Sequence, residues 1–593
     1  MKTKSRLFVI IAGLLFLYIS QAVVLGQKYA SDPQFKVKMD FNRWHDVHEL
    51  HADMKRLEKA YPKFLKTVIV GKSHNGLDVL GMIINNPDTG PEADKSAMYV
   101  EANIHGGEIP GGEVCLYTIW YLMENYLRID KIKRLVDERV FYIFPCVNPD
   151  GRQYFMDGDG GGARTGHVPV DEDNDGFYDE DGPNDLNNNG VIEQIIKYVP
   201  GEGTHNKNLS NPGILEQVPF GKKGDYILLG SEGLDDDEDG RVNEDGPGGY
   251  DPNRNWAGGW QPQYIQGGAM DYPFQLPETR AINDFLMSHP NIAGLQTHHT
   301  SGGLVMRGPG SEGLGEYSGT DLIAYDEIGK NAERILPFYR YIVLWSGMYN
   351  SYGGSIDWTF EGLGIISFGT ELWNSSQYFT SPELQAQIQD PNSPISGQKG
   401  RYYFDDYLEF GDQFVDWKDF SHPNYGKVEM GGRWKKSFGG KPPRFMTEEL
   451  CHRHMSFALY QADELPKMEM GEHEVKKIGP NVYRVWVNLT NPKVAPTIAT
   501  KAAQNKVVRP DLLSLKGDVE IISASWINNA ETFDYLNPIT ALIDQHDLSR
   551  IIIRNGQPGK TKRTIQYLVK GSGEITVTYD SVKGGKVRLT IAL

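Results

Sequence analysis

Strand-like and helix-like segments alternate along most of this chain, and a polar residue closely follows each of four strand-like segments. The predicted strands are Ala97 to Asn103, Val140 to Val147, Ile292 to Thr297 and Ile365 to Thr370, and the polar residues behind them are His105, Asn148, His299 and Glu371. This alternation predicts an α/β fold in which a mixed sheet has helices on both faces. Ligands and catalytic groups gather at the carboxyl ends of strands in such sheets, so we expect one shared site.

The composition changes from about Lys467 onward, where short strand-like runs are separated by Gly, Asn and Pro. These runs are Val482 to Leu489, Val519 to Ala524, Ile551 to Arg554, Thr564 to Val569, Glu574 to Tyr579 and Lys586 to Ile591. Such spacing is typical of an all-β sandwich. We therefore predict an α/β domain at residues 37–465 and a β-sandwich domain at residues 466–593.

The first 22 residues have the pattern of a secretory signal peptide. Basic residues precede an apolar run from Leu7 to Ile19, and the small residues Ser20 and Ala22 offer a cleavage point. We expect residues 1–22 to be removed and the mature chain to be secreted, extracellular or periplasmic, without a stable membrane anchor. The alternative is an uncleaved anchor, for which this apolar run is short.

Three cysteines, Cys115, Cys146 and Cys451, are too few for a disulfide framework, even in an oxidising compartment. Whether Cys115 and Cys146 are bridged stays open at this point. The formal net charge is −18. A chain of this charge repels phosphate backbones, so we expect no nucleic-acid partner.

Much of the negative charge is concentrated in two stretches that contain a repeated pattern, D-x-[DN]-x-[DN]-G. Oxygen ligands at alternate positions, followed by a glycine that permits a sharp turn, suit a hard cation such as Ca²⁺. The predicted calcium ligands are Asp171, Asp173, Asp175, Asp185, Asn187, Asn189, Asp235, Asp237 and Asp239. No segment has the terminal bidentate glutamate of an EF-hand, so we expect structural calcium in an insertion. The alternative is a solvated acidic loop.

His105-Gly-Gly-Glu108 places a histidine and a carboxylate three residues apart, where both can reach one metal ion from a strand-to-helix turn. Further motifs follow it along the chain: Asn148-Pro-Asp-Gly151, Asn253-Arg-Asn-Trp256, Pro277-Glu-Thr-Arg280, His299-Thr-Ser-Gly302, Tyr349, Gly353-Gly-Ser-Ile-Asp-Trp358 and Glu371. In order and local context, this series resembles the zinc carboxypeptidases of the carboxypeptidase A and carboxypeptidase T type. The resemblance covers roughly Phe41 to Leu465.

The resemblance implies that His105, Glu108 and His299 bind a catalytic Zn²⁺ and leave a fourth position open for water. It also implies that Glu371 is the general base, which takes a proton from that water and later delivers it to the leaving amine. His298 adjoins His299, and only one of the two can face the metal if the strand continues to alternate. The Thr-Ser-Gly that follows favours His299.

The resemblance further assigns substrate-binding roles. Asn253 and Arg254 match the pair that recognises a free terminal carboxylate, for which a planar guanidinium is suited. Tyr349 matches a mobile tyrosine that closes over the substrate, and Arg164 matches the arginine that stabilises the oxyanion. Ile356 occupies the pocket position that distinguishes specialists for basic residues. An apolar residue there favours apolar C-terminal residues, because a buried cation would be unpaired.

Residues 152–249 form an insertion that is larger than in compact members of the family. From these features we predict a secreted zinc metallocarboxypeptidase, a peptidase hydrolase whose partners are peptides or proteins with a free C-terminus. The alternatives are a peptidoglycan-peptide amidase or γ-glutamyl peptidase on the same fold, and a non-catalytic binding protein. A retired enzyme has no reason to keep both the metal ligands and the general base.

Overall fold

The computed structural model describes most of the chain, namely residues 34–158, 164–171, 176–209, 211–236, 238, 240–243, 246, 248–317, 319–374, 383, 386, 400–527 and 540–593. The predicted signal peptide and the predicted calcium ligands Asp173, Asp175, Asp237 and Asp239 lie outside these residues. Within them, no helix combines the length and the apolar character that crossing a membrane requires.

The strands are numbered in chain order. The first twelve are β1 Leu65–Lys72, β2 Asp78–Ile84, β3 Ser96–Ala102, β4 Arg139–Phe144, β5 Gln194–Gly203, β6 His205–Lys207, β7 Leu215–Gln217, β8 Gly224–Ser231, β9 Ile292–Thr300, β10 Leu304–Arg307, β11 Arg340–Val343 and β12 Ile366–Leu372. The others are β13 Phe414–Val415, β14 Lys418–His422, β15 Gly426–Gly431, β16 Arg433–Trp434, β17 His473–Gly479, β18 Val482–Asn491, β19 Asp511–Ile527, β20 Thr540–Leu542, β21 Arg550–Ile553, β22 Thr561–Ser581 and β23 Gly585–Ala592.

An eight-stranded mixed sheet forms the centre of the α/β domain, in the order β1-β2-β4-β3-β9-β12-β10-β11. The four central strands β4, β3, β9 and β12 are parallel neighbours, and antiparallel strands flank them on both sides. The predicted fold class is therefore confirmed. All four central strands end at the same edge of the sheet.

Helices cover both faces of this sheet. The α-helices are Val47–Ala60, Pro110–Asn125, Asp130–Glu138, Pro149–Asp157, Pro277–Ser288, Gly319–Ile335, Leu344–Gly347, Ser355–Glu361, Gly400–Phe404, Arg444–Asp463 and Thr500–Asn505. Residues of β3 alternate between the two faces, as a strand dictates. Met98 and Val100 pack in the core with the helices Pro110–Asn125 and Arg444–Asp463, whereas Tyr99 packs in the opposite core with helix Pro277–Ser288.

The cysteines take no part in a bridge. Cys115, on the fully buried helix Pro110–Asn125, and Cys146 are both buried free thiols, and so is Cys451. Cys115 and Cys146, whose pairing the sequence left open, are therefore not joined by a disulfide in the structure.

The insertion contributes most of a second, six-stranded sheet, in the order β14-β15-β5-β8-β6-β7. Strands β14 and β15 come from a segment beyond β12, so two distant parts of the chain complete one sheet. Its small core contains Ile195, Val428 and Met430. Arg152, where the insertion was predicted to begin, lies instead on helix Pro149–Asp157 and is wholly buried in the α/β domain.

The C-terminal domain is built on β-strands, and the two layers of the expected sandwich are halves of one bent antiparallel sheet. β22 pairs with β18 through its first half and with β23 through its second half, and it pairs with β19 along both. A register shift between Gly517 and Val519 marks the bend, as β-bulges do. Val487 from one half and Val577 from the other share a single core.

Helix Thr500–Asn505, between β18 and β19, docks the C-terminal domain on the α/β domain. The carboxylate of Asp321 accepts hydrogen bonds from two N–H groups at the start of this helix, at 2.7 and 2.9 Å. Ala502 shares a core with Phe368 of β12. A Cβ atom added at Gly364, whose φ is +63°, would lie 2.5 Å from the Cβ of Ala502.

We expect the substitution Gly364→Ala to lower the melting temperature through two effects. The left-handed backbone costs a non-glycine residue about 1–2 kcal/mol, and the contact with Ala502 adds about 1–3 kcal/mol of overpacking. Gly76→Ala is the matched control, because Gly76 has a φ of +84° and a Cβ atom added there would meet nothing within 4 Å. If calorimetry finds that the melting temperature falls equally in the two variants, the result would contradict this docking contact.

Candidate functional site

The carboxyl ends of β3, β9 and β12 bring the chemically reactive side chains together. In the parallel pairing of β9 with β12, His299 stands opposite Glu371. In the pairing of β3 with β9, Ala102 stands opposite His298, so the loop after β3 starts beside them. His105, His299 and Glu371 consequently line one cavity of about 180 Å³.

His105, Glu108 and His299 form a cluster of potential metal ligands. The Nδ1 atom of His105 lies 2.9 Å from Oε1 of Glu108, and Nδ1 of His299 lies 3.0 Å from Oε2 of Glu108. The two Nδ1 atoms are 3.3 Å apart. Ligand atoms about 2.0–2.1 Å from a tetrahedral ion are separated by roughly 3.3 Å. The donor set therefore fits a small cation.

Asp251 supports this cluster from behind. One of its carboxylate oxygens, Oδ1, lies 2.9 Å from Nε2 of His105. Burial alone lowers the pKa of His105, but the carboxylates of Glu108 and Asp251 outweigh it and raise the pKa to about 9. The surroundings of the ring thus favour positive charge. A carboxylate that holds the second ring nitrogen also fixes which nitrogen faces the ion.

The sequence analysis did not single out Asp251. The feature that could have identified it is its position two residues before Asn253, in the segment Asp251-Pro-Asn-Arg254. The same side chain also accepts a hydrogen bond from the N–H of Asn253 at 2.8 Å. Asp251 therefore links the metal cluster to the residues predicted to bind the substrate carboxylate.

The two adjacent histidines point to opposite faces of β9. His298 is wholly buried on the far side, where its Nδ1 lies 2.7 Å from Oγ1 of Thr370 on β12. His299 is on the cavity side and belongs to the ligand cluster. Strand alternation therefore places His299 at the site, as the sequence predicted.

Glu371 lines the cavity beside the ligand cluster. Its burial and the nearby carboxylate of Glu108 raise its pKa to about 8. A cation held by Glu108 would offset that repulsion and favour the ionised form. The carboxylate is placed where it can accept a proton within the cavity.

Residues predicted to bind the substrate carboxylate lie across the same cavity. Arg254 is buried, and its Nη2 donates to the hydroxyl of Tyr349 at 3.3 Å. Tyr349 itself is half exposed at the rim. Asn253 is held in place because its Oδ1 accepts a hydrogen bond from the N–H of Ser355 at 2.9 Å.

The part of the cavity around Ile356 is apolar. Ile356, in the first turn of helix Ser355–Glu361, lines the cavity with Met306, Leu344 and Met348. The acidic side chains that line the cavity, those of Glu108 and Glu371, lie at and beside the ligand cluster. The apolar part suits an apolar side chain, because burying a cation costs free energy unless it is paired.

Arg164 also lines the cavity, although half of its side chain is exposed. Its guanidinium donates twice to Oδ2 of Asp251, at 3.1 and 2.8 Å, and lies 4.0 Å from Glu108. A cation at this position is close to the ligand cluster, where negative charge on a bound substrate would develop.

The described parts of the three acidic segments share one turn geometry. In each segment the N–H of the glycine donates to Oδ2 of the first aspartate, five residues earlier. The glycines Gly176, Gly190 and Gly240 all have positive φ angles. Among the other predicted ligands, Asn187 and Asn189 both donate to the carboxylate of the buried Glu193.

Comparison with known protein families assigns the α/β domain to a family. Residues 50–189 and 227–392, together more than half of the chain, match the model of the zinc carboxypeptidases, Peptidase M14. The chain belongs to the zinc carboxypeptidase family. Residues 467–592 match a separate domain family of unknown function. Zinc is thus the cation to test against the three ligands, and their nitrogen and oxygen donors suit it.

Similar proteins cover parts of the chain. Carboxypeptidase D of Drosophila melanogaster is 29% identical over 153 residues, which are 25% of this chain and 11% of that protein. A zinc carboxypeptidase of Saccharothrix mutabilis subsp. capreolus is 28% identical over 140 residues, or 23% and 32% of the two chains. The chain therefore spans about a tenth and a third of the length of these relatives.

A third relative and one solved structure extend over more of the chain. A zinc carboxypeptidase of Simulium vittatum is 22% identical over 356 residues, which are 56% of this chain and 89% of that protein. The crystal structure of carboxypeptidase A from Helicoverpa armigera has 16% identity and a TM-score of 0.38, with 61% of this chain and 72% of that chain covered.

We expect Asp251→Asn to weaken zinc binding about 10–100-fold, the usual effect of losing a carboxylate behind a ligating histidine. The amide keeps the size of the side chain but not the charge that orients His105. Competition with a chromophoric zinc chelator measures the affinity. Asp284→Asn, an exposed position on helix Pro277–Ser288, is the control. Unchanged affinity in Asp251→Asn would contradict the supporting role.

Proposed function

We propose that this protein is a zinc-dependent carboxypeptidase, which removes single residues from the free C-termini of peptides. One observation carries the proposal. The three convergent donors of His105, Glu108 and His299 share a cavity with Glu371 and with a buried arginine, Arg254. A substrate whose terminal carboxylate binds Arg254 would bring its last peptide bond to the metal site in the same cavity. This arrangement is what cleavage of a C-terminal residue requires.

His105, Glu108 and His299 would hold the zinc ion. When bound, zinc supplies a Lewis acid that polarises a carbonyl group and lowers the pKa of a water molecule. Glu371 accepts the proton of the attacking water and donates it to the nitrogen of the leaving amine. The bond between the carbonyl carbon and that nitrogen breaks, so the products are a shortened peptide and a free amino acid.

Arg254, Asn253 and Tyr349 would bind the terminal carboxylate. The planar guanidinium of Arg254 suits two parallel hydrogen bonds to a carboxylate, which a mid-chain amide cannot accept in the same way. Tyr349 would close the rim over the substrate. Its hydroxyl accepts a hydrogen bond from Arg254, so it lies where the terminal carboxylate would bind. Arg164 stabilises the oxyanion from its place beside Glu108.

The side chain of the released residue would enter the apolar region around Ile356, Met306, Leu344 and Met348. We propose a preference for apolar or aromatic C-terminal residues, because these gain free energy from burial and leave no charge unpaired. Methionine side chains adapt to differently shaped partners, so we expect a broad apolar preference.

The test is mass spectrometry of a mixed peptide library, in free-acid and C-terminally amidated forms, digested by the zinc-loaded protein. We expect stepwise loss of apolar terminal residues from the free acids alone. Arg254→Ala should reduce kcat/KM on free acids at least tenfold, since a charge-assisted hydrogen bond contributes about 1.5–3 kcal/mol. Glu371→Gln, which should retain zinc, is the inactive control.

Other outcomes would count against this assignment. Cleavage of amidated and free peptides at equal rates would contradict recognition of the terminus. Release from cell-wall peptides alone would favour the amidase or γ-glutamyl peptidase, and binding without cleavage would favour a non-catalytic role.

We further propose that the protein is secreted and that its acidic segments bind structural calcium. The support for secretion is the pattern of residues 1–22. The support for calcium is the repeated spacing of oxygen ligands and the shared turn at Gly176, Gly190 and Gly240. Extracellular calcium would neutralise the repulsion among neighbouring carboxylates.

We expect millimolar Ca²⁺ to raise the melting temperature of the zinc-loaded protein more than the same concentration of Mg²⁺. Binding at 100 times the dissociation constant stabilises a protein by about 2.7 kcal/mol. Asp185→Ala should reduce this shift, whereas Asp419→Ala, exposed on β14, should keep it. A melting temperature that does not respond to Ca²⁺ would contradict the calcium sites.

A further inference from the structure

Buried side chains add to the backbone hydrogen bonds that hold the loop carrying His105 and Glu108, such as the bond from the N–H of Gly106 to the carbonyl oxygen of Arg164. The side-chain amide of Asn103 donates to the carbonyl oxygens of His105 and Gly106, at 3.2 and 3.1 Å. Asn103 is wholly buried and has a φ of +58°, a conformation that asparagine tolerates better than most residues. The loop geometry therefore depends on the orientation of this amide.

Asn148, predicted to belong to the site, acts on the same loop. Its side-chain amide donates to the carbonyl oxygen of Ile104 at 3.1 Å, and its Oδ1 accepts from the N–H of Gly151 at 2.9 Å. The second bond caps helix Pro149–Asp157. The start of this helix and the metal-ligand loop are therefore fixed to each other.

Arg152, one turn further along that helix, orients Asn103. Its Nη1 donates both to Oδ1 of Asn103 and to the carbonyl oxygen of Ile109, the latter at 2.9 Å. The guanidinium is wholly buried and occupies the space beside Gly112, where a Cβ atom would lie 2.5 Å from Nη1. Arg152 thus contacts both ends of the loop that contains the ligands.

The positive charge of Arg152 is balanced inside the protein. Nη2 of Arg152 donates to Glu113 at 2.9 Å, and the other carboxylate oxygen of Glu113 lies 2.6 Å from Nδ1 of His45. Asp53 lies 3.4 Å from the second ring nitrogen of His45. Burial lowers the pKa of His45, but these two carboxylates raise it to about 9, which favours the charged ring at neutral pH. Arg152, Glu113, His45 and Asp53 thus form a row in which basic and acidic groups alternate.

We propose that Arg152 is a positioning residue of the metal centre, which acts through Asn103 and Ile109 to fix the backbone that presents His105 and Glu108. This inference rests on the proposed function, since it takes zinc as the bound ion. Arg152 is not among the residues that line the cavity. Its effect on catalysis must therefore pass through the ligand loop.

The experiment compares zinc affinity, kcat and KM in the full-length protein. Arg152→Met is combined with Glu113→Gln, so that no carboxylate is left buried without its partner. We expect the double variant to bind zinc about 10–100-fold more weakly. Its kcat should fall at least tenfold while KM stays within about twofold, because KM reports on Arg254 and the apolar region.

Arg152→Lys is the conservative variant and keeps a cation beside Glu113. A single ammonium group lacks the planar fork whose Nη1 reaches Asn103 and Ile109 while its Nη2 reaches Glu113. We expect this variant to fold like the wild type and to have a zinc affinity between those of the wild type and the double variant. It keeps the proposal testable if the double variant does not fold.

Arg139→Met is the matched control for loss of a buried arginine. Arg139 is also buried, and it donates to the carbonyl oxygens of Ala462 and Leu465 at 2.9 and 2.8 Å, at the opposite end of the sheet. This variant should lower the melting temperature without changing zinc affinity.

Two results would be decisive against the inference, and they differ in what else they affect. Wild-type zinc affinity in both Arg152 variants would overturn the positioning role and leave the proposed function intact. A wild-type protein that binds no zinc would overturn the proposed function together with this inference.

Discussion

The parallel pairing of β3, β9 and β12 is the constraint on which the site depends. It sets His299 directly opposite Glu371 and starts the ligand loop one strand away. A slip of one residue would turn His299 to the far face and bring His298 to the cavity, because side chains alternate along a strand. On the far face, the bond between His298 and Thr370 joins the same two strands. The hydrogen-bonded sheet therefore sets the spacing between His299 and Glu371.

Buried charges organise the side chains around this edge. Asp251 binds His105 and Arg164 behind the ligand cluster, and Glu113 binds His45 and Arg152 in the protein core. Each carboxylate lies between two groups that carry or favour positive charge. Such networks stabilise the fold when they are complete. Loss of one member lowers the stability of the protein, because its partner is left as an unpaired buried charge. The loop is thus held by two separate sets of buried charges, through His105 and through Arg152.

The additions to the α/β domain are built into its packing. The sheet of the insertion is extended by β14 and β15, which lie more than 200 residues further along the chain than β5. The C-terminal domain places Ala502 in the core that also contains Phe360 and Phe368, on the elements that carry Ile356 and Glu371. The C-terminal domain therefore packs against both of these elements.

The sequence by itself determined the fold class and the strand ends that carry the chemistry, because these follow from local periodicity. The ligand cluster came from the resemblance of short motifs to the zinc carboxypeptidases. The sequence did not determine the roles of Asp251 and Arg152, which depend on contacts with residues 146 and 49 positions away along the chain. Nor could short strand-like runs indicate that β19 and β22 bend as continuous strands. Tertiary structure decided these features, because burial and charge pairing arise only when distant segments pack.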